Sequence, residues 1–186
     1  MTFIDVVSGI FPYDEDILEF FKLHTKRIVV KKNEIISTNG SMNKNAYYVE
    51  KGLMRLFYYE NGKDITTNFY AEGKFLANYD TLFNTGPTKF NIEALEDSEI
   101  IFCNYEILEK LCGQSLSVAN FGRYMLGRII TQMSDRISSL QYMTAREKYE
   151  QLLKDHPDII LRAPLGTIAS YLGISQETLS RIRSAK

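Results

Sequence analysis

The sequence predicts an α+β chain: an antiparallel β-roll or jelly roll, then one long helix, then a small α-helical unit built on a helix-turn-helix. Three observations carry this. Between Lys26 and Phe102, seven short β-branched or aromatic runs alternate with Asn/Gly punctuation. Leu126, Ile130, Met133, Ile137 and Leu140 are spaced 4, 3, 4 and 3, a heptad seam. Leu165–Arg183 reads as two short helices around a glycine turn. The expected division is 1–115 for the roll, 116–143 for the long helix and hinge, and 144–186 for the helix-turn-helix unit.

Residues 14–24 predict a short amphipathic helix, capped by Asp14 or Asp16, with Ile17, Leu18, Phe20 and Phe21 on its apolar side. The strand candidates are 28–30, 34–37, 46–49, 53–59, 65–70, 91–95 and 99–102. Asn39-Gly40, Lys51-Gly52, Asn61-Gly62 and Glu72-Gly73 are the turns, and Asn61-Gly62 between two aromatic strands is the strongest hairpin signal. Many short strands at regular spacing imply a rolled antiparallel barrel. A long helical stretch follows Tyr105. Its second apolar row, Phe121, Met125 and Ile129, suits packing on the roll, and the heptad seam then suits a second copy of the chain, the alternative being that one subunit buries both rows. Thr144-Ala-Arg-Glu147 has the form of a capping box, so a new helix is expected there and 139–144 is the expected hinge. Tyr149, Leu152 and Leu153 give that helix its core face, His156-Pro157 ends it, and Pro164 suits the first turn of the next.

In the first motif helix Leu165, Ile168, Ala169 and Leu172 share one face. Gly173 can take the left-handed conformation that ends it. Ser175 is a good N-cap for the second helix, where Leu179 and Ile182 point back to the first. The opposite face is polar: Glu177, Ser180, Arg181 and Ser184. Arg can fork onto guanine, Glu can accept from cytosine, and Ser serves several base edges, so this stripe points to double-stranded DNA.

Composition bounds the classes. At 45% hydrophobic and 24% charged, 186 residues bury a real core and are not disordered. No apolar run approaches the roughly 18 residues that span a bilayer. The N-terminal Met1-Thr-Phe-Ile-Asp5 shows no secretory signal, so a cytoplasmic chain with no membrane partner is expected. Cys103 and Cys112 make no disulfide framework and are expected to be small core residues. Residues 121–186 hold ten Lys/Arg and six Asp/Glu, a net +4 that leaves −5 for the remainder of a chain whose total is −1. A basic end on an acidic body suits local DNA contact.

The order of parts resembles the Crp/Fnr superfamily of bacterial transcription regulators, over almost the whole chain. Tyr48-Val-Glu-Lys-Gly52, Asn61-Gly-Lys-Asp64, Glu72-Gly-Lys-Phe75, Ala94-Leu-Glu-Asp-Ser-Glu99 and Gly173-Ile-Ser-Gln-Glu-Thr-Leu-Ser-Arg181 carry the resemblance. It implies a cyclic-nucleotide-binding-like effector barrel, a homodimer, a recognition helix in the major groove, and RNA polymerase as a partner. Glu177, Ser180 and Arg181, with Gln176 as a weaker fourth, resemble the subtype that reads a TGA-containing half-site.

Two departures matter. Family members that bind a cyclic nucleotide carry Phe-x-Gly-Glu and then Arg-Ser/Thr-Ala; here stand Phe75-Leu-Ala-Asn78 and Thr88-Lys-Phe90. A phosphodiester wants a bidentate Arg. Lys89 is at most a point-charge substitute, so no tight cyclic AMP binding is expected. Asn78, Tyr79, Asp80 and Lys89 mark the pocket of a different small-molecule effector, or a capped turn. Many members also continue into a β-hairpin wing, whereas this sequence ends at Lys186, naturally wingless or truncated.

No catalytic constellation or cofactor motif stands out, so an enzyme is not expected. Two cysteines cannot hold an iron–sulfur cluster, and His24 and His156, before and after the roll, offer no metal set. The runner-up reading is a ligand-binding or protein-interaction module with a vestigial helix-turn-helix.

Overall fold

The computed structural model describes residues 3–10, 15–84 and 86–185. Helices α1 (Phe3–Ile10) and α2 (Glu15–His24) lead into strand β1 (Lys26–Val30). Then come β2 (Ile35–Ser37), β3 (Asn45–Lys51), β4 (Met54–Glu60), β5 (Lys63–Tyr70), β6 (Phe75–Ala77), the short helix α3 (Tyr79–Phe83), β7 (Asn91–Ala94) and β8 (Ser98–Asn104). Helices α4 (Tyr105–Cys112), α5 (Leu116–Tyr142), α6 (Ala145–Asp155), α7 (Pro157–Arg162), α8 (Leu165–Leu172) and α9 (Gln176–Ser184) complete the chain.

The eight strands form two four-stranded antiparallel sheets, ordered β1-β8-β3-β6 and β2-β7-β4-β5. Val30, Val49, Met54, Leu56, Ile92 and Ile100 fill the space between them. At the β4–β5 turn Asn61 and Gly62 have φ of 51° and 75°, the paired left-handed conformation that matches hairpin twist. All seven strand candidates are present. The three-residue β6 and helices α1, α3 and α7 lacked a sequence signal, being short or lacking periodicity.

On the outside of the first sheet, Phe3, Phe20 and Phe21 meet Tyr48, Ile101 and Phe121 in an aromatic cluster. This seats α5 on the roll through Phe121, with Met125 half-buried beside it. The long helical stretch breaks at Gly113–Gln114, and Ser115 caps α5, accepting from the Val118 N–H. Ser115 also donates to Asp16 at 3.0 Å, and Asp16 lies in the first turn of α2. The other candidate cap, Asp14, lies outside the described residues.

Of the 139–144 stretch expected to be a hinge, 139–142 is helical: α5 holds through Tyr142, and Met143 and Thr144 alone connect it to α6. Thr144 and Glu147 make both halves of the capping box, which satisfies two otherwise orphaned N–H groups. Pro157 begins α7, and Pro164 stands one place earlier than expected, as the N-cap of α8.

Candidate nucleic-acid interface

Two short helices need an outside scaffold to hold a fixed angle. Here Ile168, Ala169 and Leu172 of α8 and Leu179 of α9 are buried with Tyr149 and Leu152 of α6 and Ile159 and Ile160 of α7. Gly173 has φ 68° and closes α8; its N–H reaches Ala169 O and Ser170 O. The Ser175 hydroxyl accepts from the Thr178 N–H at 3.2 Å and starts α9.

This turn leaves one face of α9 open. Glu177, Ser180 and Arg181 are all exposed and fall at i, i+3 and i+4, so they share a face. Arg181 Nη2 donates to Thr178 Oγ1 at 3.3 Å, which orients the guanidinium along the helix. The Glu177 carboxyl is held below its usual range by its own N–H, then by the Ser175 hydroxyl, with Arg181 adding attraction. Gln176 is also exposed but leans toward α8: a Cβ added at Gly166 would lie 3.3 Å from its Oε1.

The other four candidate residues surround α3. Asn78 is buried; its Nδ2 donates to Ser37 Oγ at 2.7 Å, and its Oδ1 has no hydrogen-bond partner among the described residues. Asp80 accepts from the Thr81 N–H at 2.9 Å, the Thr88 hydroxyl at 3.1 Å and the Lys89 N–H at 3.0 Å. Its carboxylate therefore ties α3 to the segment leading into β7. The Lys89 ammonium is turned to aromatic faces, 5.5 Å from the Tyr58 centroid and 5.1 Å from that of Phe90. Tyr79 is half-buried; burial, and then Tyr70 nearby, push its hydroxyl far above the ordinary range. So Asp80 and Lys89 meet through the Lys89 backbone, while the Asn78 side chain is bonded to Ser37 instead.

The described residues contain no grouping of His, Cys, Asp and Glu that could hold a metal ion. Cys103 is buried and Cys112 half-buried; burial pushes the Cys103 thiol up to about 11, so it is inert at neutral pH. No described helix is long and apolar enough to cross a membrane.

Sequence reading missed the residues that join the helical unit to the roll. Arg162 of α7 pairs with Glu72 at 2.9 Å and Glu96 at 2.6 Å. Arg136 of α5 stacks 3.9 Å over the Tyr171 ring and donates to the Tyr171 carbonyl. Ser170 of α8 bonds the edge of β5. Single polar residues on helices carry no periodic signal, so only the folded arrangement reveals them.

The cyclic nucleotide-binding domain family matches residues 27–115, which is the roll. HlyX, a regulatory protein of Actinobacillus pleuropneumoniae, is 26% identical, the match covering 82% of this chain and 68% of HlyX. A solved Crp/Fnr-family regulator structure from Eubacterium rectale has a TM-score of 0.73 at 19% identity, covering 95% of this chain and 87% of that one. The chain has the fold of this Crp/Fnr-family structure. FixK2 of Bradyrhizobium japonicum superposes on this chain with a TM-score of 0.75 at 22% identity, over 87% of this chain and 83% of FixK2. This shared fold covers both the roll and the helical unit, as the order of sequence motifs implied.

Proposed function

We propose that the chain is a cytoplasmic, homodimeric, sequence-specific DNA-binding transcription regulator and not an enzyme. In this reading residues 1–115 are the effector domain, 116–143 the dimerisation helix and hinge, and 144–186 the DNA-binding domain. The observation that carries it is the exposed Glu177, Ser180 and Arg181 face of α9, presented by a fully buried hydrophobic core behind it. Two α5 seams paired about a two-fold axis would set two recognition helices in successive major grooves, about 34 Å apart. RNA polymerase is the protein partner this arrangement serves.

The effector is not cyclic AMP. Two features support this: the 88–90 segment offers Lys89 in place of an arginine, and the nearby backbone donors already hold Asp80. A negative carboxylate at that corner repels a second anion.

Selection of sites from a random DNA library by the purified chain, without added ligand, tests the reading. Recovery of an inverted repeat with TGA-like half-sites is expected. Failure to enrich any site, with and without cell extract, would replace it by the interaction-module reading.

A further inference from the structure

The outer face of the second sheet buries an arginine. Arg55 of β4 is only 9% exposed. Its Nε donates to Glu93 of β7 at 2.5 Å; Nη1 and Nη2 fork onto Asp64 of β5, each at 2.8 Å; and Nη1 also reaches Thr66 Oγ1 at 3.1 Å. The guanidinium lies 3.9 Å from the Phe57 ring centroid. A buried ion pair adds little net stability over apolar packing of the same volume. What this bidentate fork does fix is the relative placement of β7, β4 and β5.

Asp64 and Thr66 are gripped a second time, through their backbone. Strand β5 is the outer strand of its sheet, so its outward N–H and C=O groups need partners from elsewhere. The Ser170 hydroxyl supplies both: it accepts from the Thr66 N–H at 2.9 Å and donates to the Asp64 carbonyl at 2.8 Å. One helical side chain thus occupies the place of a neighbouring strand. Tyr171 beside it packs on Phe69 with ring centroids 5.1 Å apart. Helix α8 in turn carries α9 through the buried Ile168, Leu172 and Leu179.

We propose that Glu93, Arg55, the Asp64/Thr66 pair and Ser170 form a relay that sets the orientation of α9 from the start of β7, with Arg55 and Ser170 as its positioning residues. This rests on the DNA-regulator reading and names how that site is regulated. Glu93 stands two residues beyond Asn91, where β7 begins, and directly opposite Arg55 across the sheet. The segment just before it, Thr88–Lys89, is the one tied to Asp80. A displacement at that corner therefore reaches β5 and α8 through hydrogen-bonded side chains, without travelling along α5 or through Met143 and Thr144.

Amide exchange and DNA affinity in the full chain test the relay. Ser170→Ala removes the hydroxyl but keeps the helix. Its Thr66 amide should exchange about tenfold faster, while the in-sheet amides of Leu56 and Ile92 stay unchanged. Arg55→Lys keeps the charge and loses the fork. It should also speed exchange at Thr66, an amide it does not touch. Both changes should weaken binding to the selected inverted repeat, and the double variant should be non-additive by at least about twofold. Additive losses, or Thr66 exchange indifferent to Arg55→Lys, would overturn the relay. Should Arg55→Lys fail to fold, Glu93→Gln takes its place with the same expectations. If the wild-type chain selects no DNA, the regulator reading fails by itself, and Thr66 exchange alone then decides whether Arg55 and Ser170 are coupled.

Discussion

The Asp80 carboxylate accepts the Lys89 N–H at 3.0 Å, nine residues along the chain, and so closes the loop between α3 and β7 on itself. Thr88 Oγ1 binds the same carboxylate oxygen at 3.1 Å and accepts from the Phe90 N–H at 3.0 Å, so one side chain organises three successive residues. Asp80→Ala leaves these donors without their acceptor. Its expected cost is about 1–3 kcal/mol in urea unfolding. A cost below about 0.5 kcal/mol, within the range of ordinary surface substitutions, would mean that water replaces the carboxylate there.

Gly52 is irreplaceable for two reasons that act together. Its φ of 104° is unfavourable for any L side chain, and an added Cβ would meet the side chain of Ser98 and lie 2.8 Å from the Ser98 Cα. Backbone cannot retreat as a flexible side chain can. Gly52→Ala should therefore cost roughly 2 kcal/mol or more in thermal unfolding, combining backbone strain with overpacking. Ser98→Gly in the same chain should recover only part of that, because the φ penalty and the close approach to the residue-98 Cα both remain. Full recovery would show that the clash with the Ser98 side chain is the whole cost.

Acid should loosen the contact between the helical unit and the roll. Burial raises the Glu72 carboxyl, but hydrogen bonds from Arg162, its own N–H and the Gly52 N–H outweigh this and hold it below the usual range. A carboxyl depressed in the folded state contributes stability that is fully present above its unfolded value of about 4.3. That contribution disappears as pH falls through the lower folded value. Glu72→Gln should unfold with a shallower pH dependence below pH of about 4 than the wild-type chain. Parallel profiles would remove Glu72 from the acid response.

Arg181→Ala should cost roughly 1–3 kcal/mol of DNA affinity and relax the base preference at one position of each half-site. Thr178→Ala should do less, since it removes only the 3.3 Å contact that orients the guanidinium. The measure is repeated library selection with each variant. An unchanged site preference after Arg181→Ala would take Arg181 out of the set that reads bases.

Legibility followed the length scale of the signal. The strands, the Asn61-Gly62 turn, the capping box at Thr144 and Glu147, and the Gly173 break were all visible because each is a local pattern with its own chemistry. Gln176, Glu177, Ser180 and Arg181 were legible as helix positions, because the apolar face opposite them defines α9. Ser170 was not. It sits within an otherwise ordinary helix, and its partners at Asp64 and Thr66 are more than 100 residues away. Arg55 was hidden for the same reason: its acids lie on two different strands, and nothing in a strand pattern tells a buried arginine from an exposed one. Asp80 was read as either an effector contact or a turn cap. Its three donors all lie within the α3–β7 segment.

The heptad seam of α5 lies open to solvent in a single copy. Ile130 is 66% exposed, Met133 56% and Ile137 53%, while Phe121 on the opposite side is buried against the roll. A helix that buries one row and leaves a 4-3-4-3 row in water exposes several large side chains at a cost that self-association removes. Ile137→Glu places two like charges against each other across any two-fold seam. Sedimentation should therefore show a dimer for the wild-type chain and a monomer for Ile137→Glu, with the far-ultraviolet helical signal retained. DNA affinity should fall with the dimer, because each monomer can grip only one half-site. A wild-type chain that sediments as a monomer at micromolar concentration would refute the paired-helix arrangement and require a different partner for the seam.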